Sequence, residues 1–131
     1  PDSIQVMNFR GHFVVPGLID AHVHLATNPS KEDNFEVTKK RLEYLLKNGI
    51  TTVRDMAGDA RYLNYLSRQA SLDNIVSPDI YFSALLAGES FFKDPRTKLA
   101  AQGFESGKAP WMRGINTNSN LSQIISLLVS S

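Results

Sequence analysis

The sequence predicts an α/β fold in which parallel strands alternate with helices. Three observations predict it. Residues 19–25 alternate apolar and polar side chains, as a strand with one buried face does. Residues 50–56 are rich in β-branched side chains, and residues 80–86 are almost wholly apolar, which is typical of buried strands. Segments with helical spacing separate these runs, and that alternation favours a parallel sheet with right-handed crossovers.

The composition is that of an ordinary globular chain. Its 131 residues can bury one core, and 42% are hydrophobic and 21% charged. Fourteen basic and thirteen acidic residues, scattered along the chain, argue against nucleic acid or a membrane surface as partners. We find no membrane-spanning run and no leader pattern, so we expect a cytoplasmic protein. Because the chain has no cysteine, any metal must take nitrogen and oxygen ligands.

The first predicted strand carries candidate metal ligands. On a strand, Asp20, His22 and His24 project to one face and the apolar residues between them to the other. Two imidazoles separated by one residue can converge on one point, and imidazole nitrogen is a common zinc ligand. The alternative is an accidental His-x-His on an ordinary strand. His12, beside a predicted turn at Gly11, is expected to be a surface residue.

The ends of the first two helices are predicted by their capping residues. A capping pattern at Ser30 begins a helix over residues 31–48, and Gly49 ends it. After the second strand, Asp59 is a candidate N-cap for a second helix, which closes before Pro78 because the residue before proline avoids helical geometry.

Residues 87–118 show no sustained periodicity. A connection of this length is usually functional, so we predict an active-site lid with short ordered pieces, and a passive surface excursion is the alternative. Trp111 either packs the lid over substrate or anchors the loop. Residue 118, 119 or 120 then caps a last helix. Its apolar stripe consists of Leu121, Ile124, Ile125, Leu128 and Val129.

The first strand reads Pro16-Gly17-Leu18-Ile19-Asp20-Ala21-His22-Val23-His24. This motif resembles the first barrel strand of the metal-dependent amidohydrolase superfamily. Residues 48–56 and 109–112 are similar to its imidazolonepropionase-like and Xaa-Pro dipeptidase-like branch, and the resemblance extends from about Gly11 to the end of the chain. It implies a partial (β/α)8 TIM barrel, about the first three β/α units over residues 16–131, preceded by a remnant of a small β-sandwich at residues 1–15. A small open doubly wound sheet is the alternative, but its phosphate-binding glycine loop is missing after the first strand.

The resemblance also implies the chemistry. The family hydrolyses carbon-nitrogen bonds other than ordinary protein peptide bonds, in dipeptides or cyclic amides, through a hydroxide activated by one or two zinc ions. His22 and His24 correspond to two of the metal ligands, and the remaining ligands belong to strands beyond these three units. Asp20 would support the histidines or form a plain structural hydrogen bond. Asp55 would face the barrel mouth, near substrate, or pair with Arg54 within the scaffold.

Two functional hypotheses follow. The chain is the N-terminal part of a metal-dependent hydrolase and is inactive when isolated, because it supplies too few ligands; or it is a non-catalytic interaction or assembly module derived from an amidohydrolase. The expected partners are a small-molecule amide or dipeptide substrate and further copies of the chain, since an incomplete barrel leaves strand edges open. The chain stops inside a helical pattern, so we expect its reading frame to continue into a lysine-bearing strand if it is the enzyme.

Overall fold

A computed structural model describes residues 4–26, 35–101 and 103–130. The elements are, in order, β1 (Leu18–Val23), α1 (Phe35–Lys47), β2 (Ile50–Asp55), α2 (Ala60–Ser71), β3 (Asp79–Phe82), β4 (Leu85–Gly88), a 3₁₀ turn (Phe91–Lys93), α3 (Pro95–Ala100), β5 (Met112–Ile115) and α4 (Leu121–Ser130). Within these ranges, no helix has both the length and the apolarity that a bilayer span requires.

The first three strands form a parallel sheet in the order β1-β2-β3, which confirms the prediction from the alternating pattern. Both neighbouring helices pack on one face of it. Val53 of β2 and Ile80 of β3 are paired, so they point to the same side. The buried cluster around them includes Leu42 of α1 and, from α2, Leu63 and Leu66. This apolar layer holds the carboxyl ends of the strands in place.

β1 is less regular than its motif predicts. Its pairing with β2 shifts register between Asp20 and Val23, which interrupts the alternation of faces. Val23 and Leu25 pack against the core, whereas Ile19 is 69% exposed. β1 also approaches β2 closely at Gly17, where an added Cβ would lie 2.1 Å from the side-chain oxygen of Thr51. Position 17 therefore requires glycine, because a side chain there would overlap the Thr51 side chain of β2.

Helix ends largely follow the predicted signals. The Asp59 side chain accepts a hydrogen bond of 3.0 Å from the N–H of Arg61 and so caps α2. Asn120, one of three candidates, caps α4 by accepting from the N–H of Ser122 at 2.9 Å. Gly49, with φ of +84°, follows α1. The predicted capping position at residue 30 lies outside the described residues.

The third predicted strand, residues 80–86, is wrong in its extent. β3 ends at Phe82, and β4 is a separate strand of a second parallel sheet with β5. The chain changes partners between them: the N–H of Ser83 donates to the carbonyl of Asp55, whereas the N–H of Leu85 donates to the carbonyl of Trp111. Sequence patterning gave no sign of this exchange because both halves are equally apolar.

The predicted irregular lid is more ordered than expected. Residues 87–118 contain the end of β4, the 3₁₀ turn, α3 and β5, and their own buried cluster is centred on Trp111. At the other end, residues 4–17 form neither helix nor strand, so the described part of residues 1–15 contains none of the strands that a β-sandwich remnant would contribute. Their assignment to a β-sandwich remnant stays a prediction.

Candidate metal centre

The two histidines of the motif lie together at the carboxyl end of β1. The ring centroids of His22 and His24 are 5.3 Å apart, their planes are inclined at 71°, and both residues are exposed. No group of three His, Cys, Asp or Glu side chains that could hold a metal occurs among the described residues. A catalytic zinc normally has three protein ligands and a water. The pair therefore fits part of such a site, two nitrogen ligands with the rest of the coordination open.

Asp20 contacts the backbone of the motif. Its Oδ1 accepts a hydrogen bond of 3.2 Å from the N–H of His22. This contact restrains the chain next to one imidazole and corresponds to the plain structural alternative. Direct support of an imidazole ring by Asp20 stays a prediction.

Asp55 lies at the end of β2 and is fully buried. Its Oδ2 accepts hydrogen bonds from the N–H groups of Leu25 at 2.6 Å and Ala26 at 3.1 Å. Its Oδ1 accepts from those of Ala57 at 3.1 Å and Gly58 at 2.8 Å. The carboxylate thus joins the segment after β1 to the turn after β2, and we call these four hydrogen bonds the Asp55 clamp. They account for the burial of Asp55, so an ion pair with its exposed neighbour Arg54 is not needed to explain it.

The backbone on both sides of His24 is held by β2. The carbonyl of Val23 accepts a hydrogen bond of 3.1 Å from the N–H of Met56, and the N–H of Leu25 donates to Asp55. The carbonyl of Leu25 also accepts from the Thr38 hydroxyl of α1 at 3.3 Å. Because a peptide group is planar, fixing the groups before and after a residue fixes its φ and ψ. The direction in which the His24 side chain leaves the backbone is therefore set by these contacts.

A cleft of about 300 Å³ opens beside His24. Ala57 and Leu85 line it from the strand ends, and Phe91 and Arg96 line it from the segment predicted as a lid. A wider groove of about 820 Å³ crosses the β4-β5 layer, but none of the predicted site residues lines it. The cleft is the better candidate for a substrate because it adjoins a candidate metal ligand.

An ion pair forms part of the wall of this cleft. The Arg96 guanidinium donates to the Asp94 carboxylate, with Nη2 2.6 Å from Oδ2, and this hydrogen bonding lowers the pKa of Asp94 to about 2. Asp94 also caps α3 by accepting from the N–H of Arg96, with proline at the first helical position. The Asp94-Pro95 pattern is a helix-start signal that sequence reasoning could have used here.

Trp111 is fully buried in the second core. Its ring meets Phe104 edge-on with centroids 5.6 Å apart, and the Arg61 guanidinium carbon lies 4.8 Å from its centre. Its indole nitrogen is buried, and no group in the described part of the chain accepts a hydrogen bond from it. This placement favours the loop-anchor alternative, and a contact of Trp111 with substrate stays a prediction.

The amidohydrolase family model matches residues 13–126. The chain belongs to the amidohydrolase family. The match includes the histidine pair, the clamp formed by Asp55 and the segment that lines the cleft. The resemblance carried by the first-strand motif is therefore confirmed, and the family supports a hydrolase.

Individual relatives agree with this family. An adenine deaminase of Listeria innocua serovar 6a is 38% identical over 53 residues, 40% of this chain and 8% of that protein. A guanine deaminase of Escherichia coli strain K12 is 37% identical over 54 residues, 41% of this chain and 12% of that protein. The chain thus spans only about a tenth of the length of these curated relatives.

Solved structures match nearly the whole chain. An uncharacterized protein has a TM-score of 0.71 and 26% identity, and the match covers 99% of this chain and 34% of that one. A prolidase crystallised with N-methylphosphonate-L-proline has a TM-score of 0.66 and 22% identity over 98% of this chain and 35% of its own. An ochratoxinase of A. niger has a TM-score of 0.58 and 20% identity, covering 88% and 31%. The prolidase is 22% and the ochratoxinase 20% identical to this chain, so these two similarities show the fold alone.

Proposed function

We propose that this chain forms the first part of the barrel of a metal-dependent hydrolase, about three β/α units. The observation that carries the proposal is the pair of exposed imidazoles, 5.3 Å apart at the carboxyl end of β1 and beside a cleft. In barrels of this type the chemistry lies at the carboxyl ends of the strands. The chain spans 34% and 35% of the first two solved structures, which agrees with a partial barrel.

His22 and His24 would bind the metal, which we propose to be zinc, as one or two ions. Such a metal, when bound, supplies Lewis-acid polarisation of a carbonyl and activation of water. The chain itself provides two imidazole ligands, a backbone that restrains them, and one wall of the substrate cleft. The proposed substrates are small amides, dipeptides or cyclic amides, as the family resemblance implies. The two deaminases support the wider class of carbon-nitrogen bonds, and the prolidase supports a dipeptide. We place the protein in the cytoplasm.

Zinc binding tests this assignment directly. We expect the purified chain to bind zinc weakly in a calorimetric titration, and His22→Ala or His24→Ala to remove that binding, because a single imidazole remains. His12→Ala is the matched control: His12 is exposed and its ring contacts only the carbonyl of Arg10 among the interactions found for it. If His22→Ala and His12→Ala bind zinc equally, the assignment is refuted.

The isolated chain should not turn over substrate. Two histidines leave a zinc ion short of the usual three protein ligands, so transition-state stabilisation should be largely lost. The assay uses the chain with added zinc on a panel of dipeptides and cyclic amides, beside His22→Ala. Turnover that disappears in His22→Ala would show that the site is more complete than we propose.

The alternative function, a non-catalytic assembly module, is favoured by the exposed apolar side of α4. Leu121 is 68% exposed, Ile125 51%, Leu128 48% and Val129 81%. Together with the open edge of β1, such a surface recruits other chains. Self-association is therefore proposed under both functions, and light scattering across a wide concentration range measures it. Self-association without zinc binding would favour the assembly module, whereas a monomer throughout would contradict self-association.

A further inference from the structure

We infer that Asp55 is the positioning residue of the histidine pair: its buried carboxylate fixes the end of β1 so that His24 is held against His22 before any metal binds. The inference rests on the proposed function of the two histidines as metal ligands. Among the described residues, the groups that donate hydrogen bonds to Asp55 are backbone N–H groups.

The first step is the convergence of donors on one side chain. Four backbone N–H groups point at Asp55, two from the segment after β1 and two from the turn after β2. Among side chains, only an ionised carboxylate offers two oxygens that accept hydrogen bonds and carries no hydrogen-bond donor. Without it, the N–H groups of the buried residues Leu25, Ala26 and Gly58 would lose this acceptor, and an unsatisfied buried N–H costs more free energy than a lost hydrogen bond at the surface.

The second step is the closeness of the two segments. A Cβ added at Gly58 would lie 3.0 Å from Asp55 Oδ1, 3.0 Å from the Cβ of Ala26 and 2.7 Å from a methyl of Leu63. The turn after β2 therefore packs directly on the segment after β1, with the carboxylate between them. A side chain at position 58 would force Leu63, Ala26 or Asp55 to shift, and so would strain the junction that Asp55 holds.

The third step connects this clamp to the histidines. One of the two peptide groups that flank His24 ends in the N–H that Asp55 accepts at 2.6 Å. The other is held through the carbonyl of Val23 by Met56, the residue after Asp55. Releasing Asp55 frees one flanking peptide, so the two imidazoles would sample many separations. Metal binding would then have to order them, and ordering lowers affinity.

The experiment compares Asp55→Asn with Asp59→Asn in the 131-residue chain. Asp59 is also a buried aspartate, and the hydrogen bonds described for its side chain come from Arg61 of α2. Three measurements are made without substrate: amide hydrogen exchange at Leu25 and Ala26 relative to the slowest core amides, the nuclear Overhauser effect between the two histidine rings, and zinc affinity. Normalising to core amides removes the effect of global destabilisation.

The Asn oxygen should keep the local hydrogen bonds from Ala57 and Gly58, as in an Asx-turn, so its NH₂ group faces the N–H groups of Leu25 and Ala26. In Asp55→Asn we therefore expect the amides of Leu25 and Ala26 to exchange at least about tenfold faster and the ring-to-ring effect to be lost. Zinc should bind about 10- to 100-fold more weakly, as when outer partners of metal ligands are removed. Asp59→Asn should match the wild type in all three. The inference is overturned if the two variants behave alike. It is also overturned if amide exchange increases in Asp55→Asn while the ring contact and the zinc affinity are unchanged, because Asp55 would then stabilise the fold without positioning the histidines.

Two further outcomes are distinguishable. If the wild-type chain binds no zinc, the proposed function fails, and the exchange and ring measurements still decide whether Asp55 holds the pair. If Asp55→Asn is too unstable to study, Gly58→Ala retains the carboxylate but strains the junction that it holds. It should accelerate exchange at Leu25 and Ala26 and weaken zinc binding, and wild-type values for a folded Gly58→Ala would overturn the inference.

Discussion

Replacing Asp55 by Asn tests how much the buried clamp contributes to folding. The substitution conserves shape but converts one accepting oxygen into an NH₂ group. An Asn amide can serve only one of the two pairs of N–H groups that the carboxylate serves. The other pair, the buried N–H groups of Leu25 and Ala26, would face a donor instead of an acceptor.

The magnitude follows from the number of bonds lost. Hydrogen bonds to a charged group contribute about 1.5–3 kcal/mol each, so losing one pair should lower the free energy of unfolding by roughly 3–6 kcal/mol. That is a large part of the about 5–15 kcal/mol typical of a domain. Asp59→Asn should cost less than about 1 kcal/mol, because Asn caps a helix as well as Asp and an ion pair to a half-exposed Arg61 contributes little.

Urea denaturation followed by circular dichroism measures both variants. We expect the midpoint to fall strongly for Asp55→Asn with an unchanged slope, since the surface exposed on unfolding is the same. A loss below about 1 kcal/mol for Asp55→Asn would mean that the two amides left by the substitution find other partners, and it would refute the expected loss of two hydrogen bonds. Equal losses in the two variants would refute it as well.

Two other predictions concern packing and charge. Gly17→Ala should destabilise the protein by about 1–3 kcal/mol through overpacking against Thr51, and adding Thr51→Gly should recover part of that loss. Thermal denaturation of the single and double variants measures both effects, and a double variant no more stable than Gly17→Ala would contradict the overpacking. Asp94 should titrate with a pKa of about 2 in ¹³C NMR, against its ordinary 3.8. Because this folded-state pKa is lowered, the stabilisation is present above about pH 4 and is lost as the pH falls toward 2. Arg96→Ala should raise the pKa of Asp94, and an unchanged midpoint of the Asp94 titration would contradict the role of the ion pair.

Sequence patterns predicted those features that depend on neighbouring residues. The β-branched and apolar runs predicted the strands of the first sheet, and Asp59 and Gly49 marked helix ends through bonds within a few residues. The spacing of His22 and His24 placed both rings on one side, since residues two apart on a strand share a face. Each of these is local, so the sequence carries it directly.

The tertiary structure decided the features that depend on distant partners. Asp55 was predicted to face substrate or to pair with Arg54, yet it is engaged by amides 29 and 30 residues away, which no spacing rule reveals. The break between β3 and β4 likewise depends on where Trp111 returns to bind Leu85. The sequence alone therefore determined about where β1 and β2 lie, about where β3 begins, and that two histidines form a pair. Only folding determined where β3 ends, where the second sheet forms and what holds the pair, because hydrogen bonds between segments exist only after the segments meet.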